Sequence, residues 1–282
     1  MLCSYISNPH TTFVRKYARR LFLHWCGSRS HYYTVRDSWQ INREIKRLKK
    51  LLHKSAGLQK SFSYEKGMKL VKCLSAIFEV ATARPGNWQK YCSKHIDVLQ
   101  LLLNGIFSFG EESVLQTLKL LTLAFYTGKD LGHSLQKAEA VDSISTPTKS
   151  VSQLSDNKKK KKGDDGGGDA NADKSFVDME QAVDQLASDD GKILRRFVDS
   201  FLLEWNSTSI RVEAKSVLYG AWFHGKHLFR GLMLTSLLQK VPVLPLYGQN
   251  IAEYFELLTW LLGKGTPEHS ANSQEAGLIQ EF

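Results

Sequence analysis

Apolar residues recur every three or four positions over many successive segments of this chain. The clearest sets are Tyr64, Met68, Val71, Leu74 and Phe78; Val114, Leu118, Leu121 and Phe125; and Ile251, Tyr254, Phe255, Leu258 and Leu262. This spacing places each set on one face of an α-helix. A helix with one apolar face needs neighbours that cover it, so the pattern predicts a stack of helices.

Residues that begin and end helices lie between these apolar segments. Gly27 can adopt the left-handed backbone that closes a first helix, and Pro85 cannot continue the hydrogen-bond ladder of a third. We predict helices over about residues 12–25, 35–54, 63–83, 96–107, 111–126, 176–187, 193–205, 210–223, 228–239 and 250–262, with a short one near 88–91. Because no strand pattern of period two exceeds a few residues, we expect an all-α fold.

Three further stripes predict which side chains face the core. They are Phe13, Tyr17, Leu21 and either His24 or Trp25; Ile41, Ile45, Leu48 and Leu52; and Ile193, Phe197, Phe201 and Trp205. Helices of this length joined by short turns are typical of armadillo- and HEAT-like stacks, so we predict an irregular stack of that kind. No fixed repeat period is visible, which leaves a non-repeating helical bundle as the alternative.

The composition changes sharply in the middle of the chain. Residues 131–174 are rich in Ser, Lys, Asp and Gly and include the run Lys158–Lys162. Such a segment buries too little apolar surface to offset its conformational entropy, so we predict a disordered insert. It lies between an N-terminal helical segment, 1–130, and a C-terminal one, 175–264, which a polar tail, 265–282, follows.

Charge is distributed unevenly between the two halves. Residues 1–128 contain 20 Lys and Arg against 7 Asp and Glu, whereas residues 129–282 contain 18 against 21. A basic front half suits an acidic partner, RNA or an anionic membrane surface, and the alternative is a solvated helix face within a larger assembly. No apolar run approaches the roughly 20 residues that span a bilayer, and no apolar signal core follows Met1, so we expect a cytoplasmic chain.

Side chains with catalytic or metal-binding potential are scattered. The four cysteines are Cys3, Cys26, Cys73 and Cys92. They form no CxxC pair, which argues against a zinc module or a redox dithiol. His224 and His227 have no acidic or cysteine companion nearby, so we expect a capping or surface role for them. Without a nucleophile elbow, a zinc-protease helix or a phosphate loop, the residues favour a non-enzymatic chain that binds no cofactor.

A strongly basic amphipathic helix over residues 35–55 is the main candidate for a binding surface. Its candidate partner-binding side chains are Trp39, Arg43, Lys46, Arg47 and Lys50. Trp39 and Leu52 lie thirteen positions apart, a spacing compatible with a calmodulin target. The alternative is that these cations form the solvated face of a packed helix.

Several long strings of the sequence carry a family resemblance. They are NPHTTFVRKYARRL from Asn8, YYTVRDSWQINREIKRLKKLL from Tyr32, ARPGNWQKYCSKH from Ala83, EESVLQTLKLLTLAFYTGKD from Glu111 and VEAKSVLYGAWFHGKHLFRGLMLTSLLQKVPVLPLYGQNIAEYFELLTWLL from Val212. These strings resemble the BIG family of giant plant proteins, the plant relatives of the animal calossin/pushover proteins. The resemblance covers nearly everything outside the predicted insert.

The resemblance implies an internal, helical piece of a much larger protein that is required for polar auxin transport and auxin-mediated growth responses. The family is linked to N-recognin ubiquitin ligases and carries zinc-binding modules, including a UBR box, so zinc is expected elsewhere in the full-length protein. Four scattered cysteines match none of those modules. The resemblance therefore transfers no zinc ligand, degron pocket or catalytic residue to this chain.

Together, the residues and the resemblance predict a non-catalytic helical scaffold segment with protein partners. Membrane association is expected through the full-length protein, and no small-molecule or nucleic-acid ligand is expected. The alternative is a basic adaptor that binds calmodulin, RNA or an anionic membrane surface through residues 35–55. Calcium-dependent capture of that segment would separate the two hypotheses.

Overall fold

Helices make up all the regular structure that the computed structural model describes, which covers residues 2–6, 10–53, 64–125, 176–205, 207–248 and 250–264. They are α1, Leu2–Ile6; α2, Thr12–Cys26; α3, Arg29–His53; α4, Tyr64–Ala83; α5, Pro85–Lys94; α6, Ile96–Gly105; α7, Glu111–Phe125; α8, Phe176–Phe197; α9, Thr208–His224; α10, His227–Leu238; and α11, Ala252–Lys264. The all-α prediction is confirmed. The armadillo- or HEAT-like class of the stack stays a prediction, and the predicted insert and polar tail lie outside the described residues.

Local sequence explains several helix ends. Thr11 caps α2 by accepting a hydrogen bond from the backbone N–H of Val14 at 3.4 Å. Gly27 closes α2 with φ 72° and donates its N–H to the carbonyl of His24. Pro85 is the first residue of α5, where its fixed φ suits the helix and its missing N–H leaves no bond unmade. The sequence prediction was wrong for the start of α3, which begins at Arg29 rather than near residue 35.

Helices from both halves of the chain share one hydrophobic core. α3 packs against α4, α4 against α7, α7 against α9, and α9 against α11, while α8 lies against α6 and α10. The largest fully buried side chains include Trp88, Phe125, Phe197 and Tyr254. Because these residues belong to one contiguous cluster, the helices on either side of residues 126–175 are held together by direct packing.

Two large polar side chains inside this core, Trp88 and Arg211, have hydrogen-bond partners on other elements. The indole Nε1 of Trp88 donates to the carbonyl of Leu120 at 2.9 Å. Arg211 is buried, and its Nε donates to Glu253 Oε2 at 2.9 Å while its Nη1 donates to the carbonyl of Trp205 at 2.9 Å. Buried polar atoms cost free energy when they are unpaired, so these contacts specify how α5 meets α7 and how α9 meets α11.

Several predicted stripes are confirmed. Val114, Leu118, Leu121 and Phe125 of α7 are all buried, as are Ile41, Ile45 and Leu48 of α3. Leu52 is partly buried against the same core. After α8 the backbone continues as a π-helical turn, Val198–Leu203, which buries Phe201, while Ile193 and Trp205 pack against the core in part.

The predicted core stripe of α2 was wrong. Phe13, Tyr17, Leu21 and Trp25 are all exposed. The buried side chain of α2 is Phe22, whose ring centroid lies 5.2 Å from that of Tyr32 in α3. Among the described helices α2 packs mainly against α1 and α3, in a small second cluster, and these neighbours cover the side that carries Phe22.

Two other stripes were displaced from their predicted positions. Tyr64 and Met68 are exposed, because α4 lies between α3 and α7 and buries the side that contains Leu70, Leu74 and Ile77. In α11 the structure buries Tyr254 and Leu258 but leaves Phe255 and Leu262 exposed. A periodic pattern places residues on one face, but the neighbouring helices decide which face is covered.

The two helices predicted over residues 176–187 and 193–205 form one element that a backbone irregularity interrupts. Asp190 has φ 56° and Gly191 has φ 73°, both in the left-handed region. A Cβ at Gly191 would lie 2.9 Å from Cδ2 of Leu232 in α10. Glycine is therefore required here by the backbone angle and by the close approach of α10.

Candidate basic interaction groove

The predicted binding helix is a packed helix with one accessible edge. Lys46, Arg47 and Lys50 are exposed, whereas Trp39 and Arg43 are half-buried. The apolar side of α3 faces α4 and is buried, so it does not reach the surface. A partner of this structure can therefore reach the basic side chains of α3 but not its apolar side.

A groove of about 520 Å³ lies between α3 and α4. Its lining residues are Arg43, Glu44, Arg47, Lys50, Leu51, Lys69, Lys72, Cys73 and Ala76. Three of the five predicted binding residues, Arg43, Arg47 and Lys50, therefore line one depression, and α4 adds Lys69 and Lys72. Trp39 and Lys46 lie outside it.

Glu44 organises the α3 side of this basic groove. Its carboxylate is buried and accepts hydrogen bonds from Arg43 Nε at 2.9 Å and from Arg47 Nη1 at 2.9 and 3.0 Å. A buried carboxylate is stable only when it is paired, so Glu44 holds both guanidinium groups beside the groove. The i,i+3 spacing of Glu44 and Arg47 on one helix makes this contact local.

The remaining cations of the groove differ in their pairing. Lys69 contacts Glu65 at 2.5 Å on the exposed surface of α4. No carboxylate in the described ranges pairs with Lys50 or Lys72. Because Glu44 already serves two arginines, the groove has a surplus of positive charge that an acidic ligand would complement.

The floor of the groove is apolar and chemically unreactive. Leu51, Cys73 and Ala76 contribute to it. Burial raises the pKa of the Cys73 thiol, and the nearby Glu44 carboxylate raises it further, so the thiol stays protonated at neutral pH. An apolar floor beneath a cationic rim can hold an apolar side chain while the rim contacts carboxylates on either side.

A buried carboxylate fixes α3 relative to the junction of α4 and α5. Asp37 is fully buried and accepts hydrogen bonds from Arg84 Nε at 2.5 Å, Asn87 Nδ2 at 2.8 Å and Arg36 Nη2 at 2.8 Å. Burial by itself would raise the pKa of Asp37, but these three donors outweigh it and lower the pKa. The Arg84 guanidinium also lies 4.6 Å from the ring centroid of Tyr33. Sequence analysis missed this cluster because its members lie far apart in the chain.

Trp39 has a structural role between α3 and the second cluster. It packs with Val35 and the residues that surround Phe22. The guanidinium of Arg43 lies 5.0 Å from the centre of its ring, a cation–π arrangement. Trp39 therefore helps to join the N-terminal helices to α3 and positions one arginine of the groove.

Comparison with known proteins identifies relatives along nearly the whole chain. It is 57% identical over 281 residues to "Auxin transport protein BIG" of Oryza sativa subsp. japonica, an alignment that covers 100% of this chain. It is 31% identical over 270 residues to a probable E3 ubiquitin-protein ligase of Dictyostelium discoideum, covering 94% of the chain. It is also 26% identical over 272 residues to "Protein purity of essence" of Drosophila pseudoobscura pseudoobscura, covering 92%.

The chain belongs to the BIG family. It spans only about 6% of the length of the rice protein, 4% of the Dictyostelium protein and 5% of the Drosophila protein. No family model and no solved structure matches the chain. The family resemblance that the sequence predicted is confirmed, and the groove lies within the region that all three relatives share.

The described residues of this BIG-family chain do not fit a zinc module. They contain no group of three or more His, Cys, Asp or Glu side chains that could hold a metal ion. Cys92 is fully buried, and burial raises the pKa of its thiol well above the usual value. None of the described helices combines the length and apolar content that crossing a bilayer requires.

The sequence predicted a capping or surface role for His224, and a surface role was wrong. The ring is buried, and its Nε2–H donates to the backbone carbonyl of Phe125. Burial lowers the pKa of His224, so the neutral ring is favoured. His227 begins α10 and is half-exposed. His224 therefore caps the end of α7 rather than the end of its own helix.

A second depression, of about 790 Å³, lies where the 3-10 turn after α6 meets the end of α8. The Arg196 guanidinium lies 4.2 Å from the ring centroid of Phe107 at this place. Trp205 lines the depression, and its ring centroid lies 6.1 Å from that of Phe201 with the two rings tilted by 38°. Trp205 therefore belongs to the core on one side and to the surface on the other.

Proposed function

We propose that this chain is a non-catalytic helical scaffold segment of a BIG-family protein that serves polar auxin transport by docking a protein partner. The observation that carries the proposal is the basic groove between α3 and α4, which the main hydrophobic core holds in place. The connection to auxin transport rests on the similarity to the rice auxin transport protein. The partner that fits the groove is an acidic segment with an apolar anchor residue.

Substitution of Lys50 and Lys72, the groove lysines that pair with no described carboxylate, tests whether the groove docks a partner. Lys50→Glu together with Lys72→Glu reverses the charge of two exposed side chains, removes the surplus positive charge of the groove and leaves the core intact. The matched control is Lys94→Glu with Lys192→Glu, two exposed lysines outside the groove. Each pair is introduced into the full-length family member, in plants that lack the endogenous protein, and the movement of labelled auxin through stem segments is measured.

We expect the control pair to restore auxin transport and the groove pair to fail, although both accumulate to wild-type levels. The purified chain with each pair should show the same urea midpoint as the wild type. Full rescue by the groove pair would contradict docking through this groove. Failure of both pairs would show that the phenotype follows surface charge in general and would contradict it equally.

The alternative of an enzymatic role has its own test, because one relative carries the name of a probable E3 ubiquitin-protein ligase. The purified chain is incubated with ubiquitin, activating enzyme, a panel of conjugating enzymes and ATP. For a scaffold we expect no ubiquitin conjugates above the level of the conjugating enzymes alone. Conjugates that depend on the chain would overturn the non-catalytic assignment.

Calmodulin binding through residues 35–55 stays a prediction. Calmodulin targets present the apolar side of an amphipathic helix, and the structure buries that side of α3 at Ile41, Ile45 and Leu48. We therefore expect a peptide of residues 35–55 to be captured in calcium and the intact chain to be captured at least about tenfold less, because α3 would have to leave the core. Equal capture of peptide and intact chain would favour the adaptor hypothesis.

A further inference from the structure

The outer side of α2 carries a continuous apolar stripe that no described helix covers. Its side chains are Phe13, Tyr17, Leu21 and Trp25, and each of them is more than half exposed. Trp25 reaches 73% exposure and Phe13 reaches 68%. We propose that this stripe, with the cations beside it, docks on an anionic membrane surface.

The geometry of α2 lets the stripe face outward while the helix stays attached to the protein. A step of four residues advances about 40° around a helix of 3.6 residues per turn, so the four side chains form one ridge. Phe13 and Tyr17 pack together along it, with ring centroids 4.4 Å apart. Phe22 lies on a different side of α2 and is buried in the second cluster. The exposed ridge and the contacts that hold α2 against the protein therefore use different side chains.

The charges around the ridge complement an anionic surface. Lys16 and Arg20 lie on α2 beside it, and the Arg20 guanidinium is 5.9 Å from the ring centroid of Tyr17. Neither of these two cations pairs with a carboxylate in the part of the chain that the structure describes. The sequence has no Asp or Glu before Asp37. Phosphate and carboxylate headgroups would supply the missing counter-charges.

The chemistry of the ridge favours lipid over a second copy of the chain. Helices that lie in a membrane interface combine Trp, Phe and Leu on one side with Lys and Arg around it, and the rings of Trp and Tyr suit the headgroup level. A second copy would bring the same cations against Lys16 and Arg20, and like charges repel. The ridge shares no residue with the basic groove, so this inference does not depend on the proposed function.

Vesicle flotation tests the inference with the full 282-residue chain. The vesicles contain phosphatidylcholine alone or phosphatidylcholine with phosphatidylserine. The first variant, Phe13→Ser with Trp25→Ser, removes the ends of the ridge, and the second, Lys16→Gln with Arg20→Gln, removes two charges.

Two controls match these variants in chemistry but not in position. Leu228→Ser with Leu246→Ser removes apolar side chains that are more than 80% exposed elsewhere on the surface. Lys94→Gln with Lys192→Gln removes two exposed charges. Far-ultraviolet circular dichroism and the urea midpoint establish that all four variants are folded.

We expect the wild-type chain and both controls to float with the phosphatidylserine vesicles and not with phosphatidylcholine alone. Each α2 variant should lower the bound fraction about tenfold, and added salt should weaken the binding of the wild type. A wild-type chain that does not float, or α2 variants that float as well as the wild type, would overturn the proposal. A concentration-dependent dimer in light scattering that the Phe13 and Trp25 substitutions abolish would assign the ridge to self-association instead.

Discussion

His224 donates from Nε2 to the backbone carbonyl of Phe125, ninety-nine positions earlier in the chain. Phe125 is the last residue of α7 and His224 is the last residue of α9. The final carbonyls of a helix have no partner within the helix, so the imidazole satisfies one of them from another helix. This contact joins the two halves of the chain at the ends of two helices that share the core.

Replacement of His224 should change how stability depends on pH. Because burial lowers the pKa of His224, the folded chain binds this proton less readily than the unfolded chain does. The stabilisation is therefore present above the unfolded pKa of about 6.5 and is lost as the pH falls below that value. We expect the urea midpoint of the wild type to fall from pH 7.5 to pH 5, and His224→Gln to reduce this change.

Exposed His31 supplies the matched control for that measurement. His31→Gln should leave the pH profile of the urea midpoint close to that of the wild type. If wild type and His224→Gln differ in urea midpoint by the same amount at pH 5 and at pH 7.5, protonation of the buried imidazole does not cause the pH dependence of stability.

Two glycine substitutions should act in opposite directions. A Cβ at Gly220 in α9 would lie 2.6 Å from Cβ of Phe125, whereas a Cβ at Gly231 in α10 meets no atom within 4 Å. Alanine in a helix interior is favoured over glycine by about 1 kcal/mol when nothing opposes it. We expect Gly231→Ala to raise the free energy of unfolding by about 0.5–1 kcal/mol and Gly220→Ala to lower it by about 1–3 kcal/mol. Chemical denaturation measures both, and a stabilised Gly220→Ala chain would show that α7 and α9 can move apart.

Removal of the buried charge at Asp37 should destabilise the chain strongly. Breaking a buried ion pair costs about 3–5 kcal/mol, and Arg36 and Arg84 are partly solvated, so we expect Asp37→Asn to cost about 2–4 kcal/mol. The exposed pair of Asp97 with Lys49, at 2.7 Å, provides the control, and Asp97→Asn should cost less than about 1 kcal/mol. Similar losses in the two variants would contradict a special role for the Asp37 cluster.

Acid should act on the same cluster in a defined direction. The pKa of Asp37 is lowered in the folded state, so its stabilisation is present above the unfolded pKa of about 3.9 and is lost as the pH falls through the folded value. We expect wild type and Asp37→Asn to differ in urea midpoint at pH 6, and this difference to shrink as the pH falls below the unfolded pKa of about 3.9. A constant difference across that range would exclude titration of Asp37 as the cause.

Two tryptophans should respond very differently to truncation. Trp88 is fully buried and donates to Leu120, so Trp88→Ala should cost about 3–5 kcal/mol and yield a poorly folded chain. Trp25 is exposed, and Trp25→Ala should change the free energy of unfolding by less than about 0.5 kcal/mol. Urea titration followed by circular dichroism distinguishes these outcomes. A large loss at Trp25 would mean that α2 packs against more of the chain than Phe22 indicates.

The sequence was sufficient to predict those helix ends that a single residue type determines. Gly27 closes α2 and Pro85 begins α5, because left-handed backbone and a missing N–H are properties of single residues. The stripe from Val114 to Phe125 was also predicted well, since α7 is central and most of its apolar side chains have neighbours to meet. The cations at Arg43, Arg47 and Lys50 could likewise be placed on one helix from their spacing.

The sequence by itself determined that this chain forms helices, that one helix is strongly basic, and which family it resembles. Only the tertiary structure decided which apolar side of α2 is covered, because Phe13 and Phe22 both suit a core and the packing of α3 selects Phe22. The tertiary structure also brought Lys72 beside Arg47 and His224 to Phe125. Local spacing sets the direction of a side chain along its own helix, whereas contacts between distant segments depend on how all the helices pack at once.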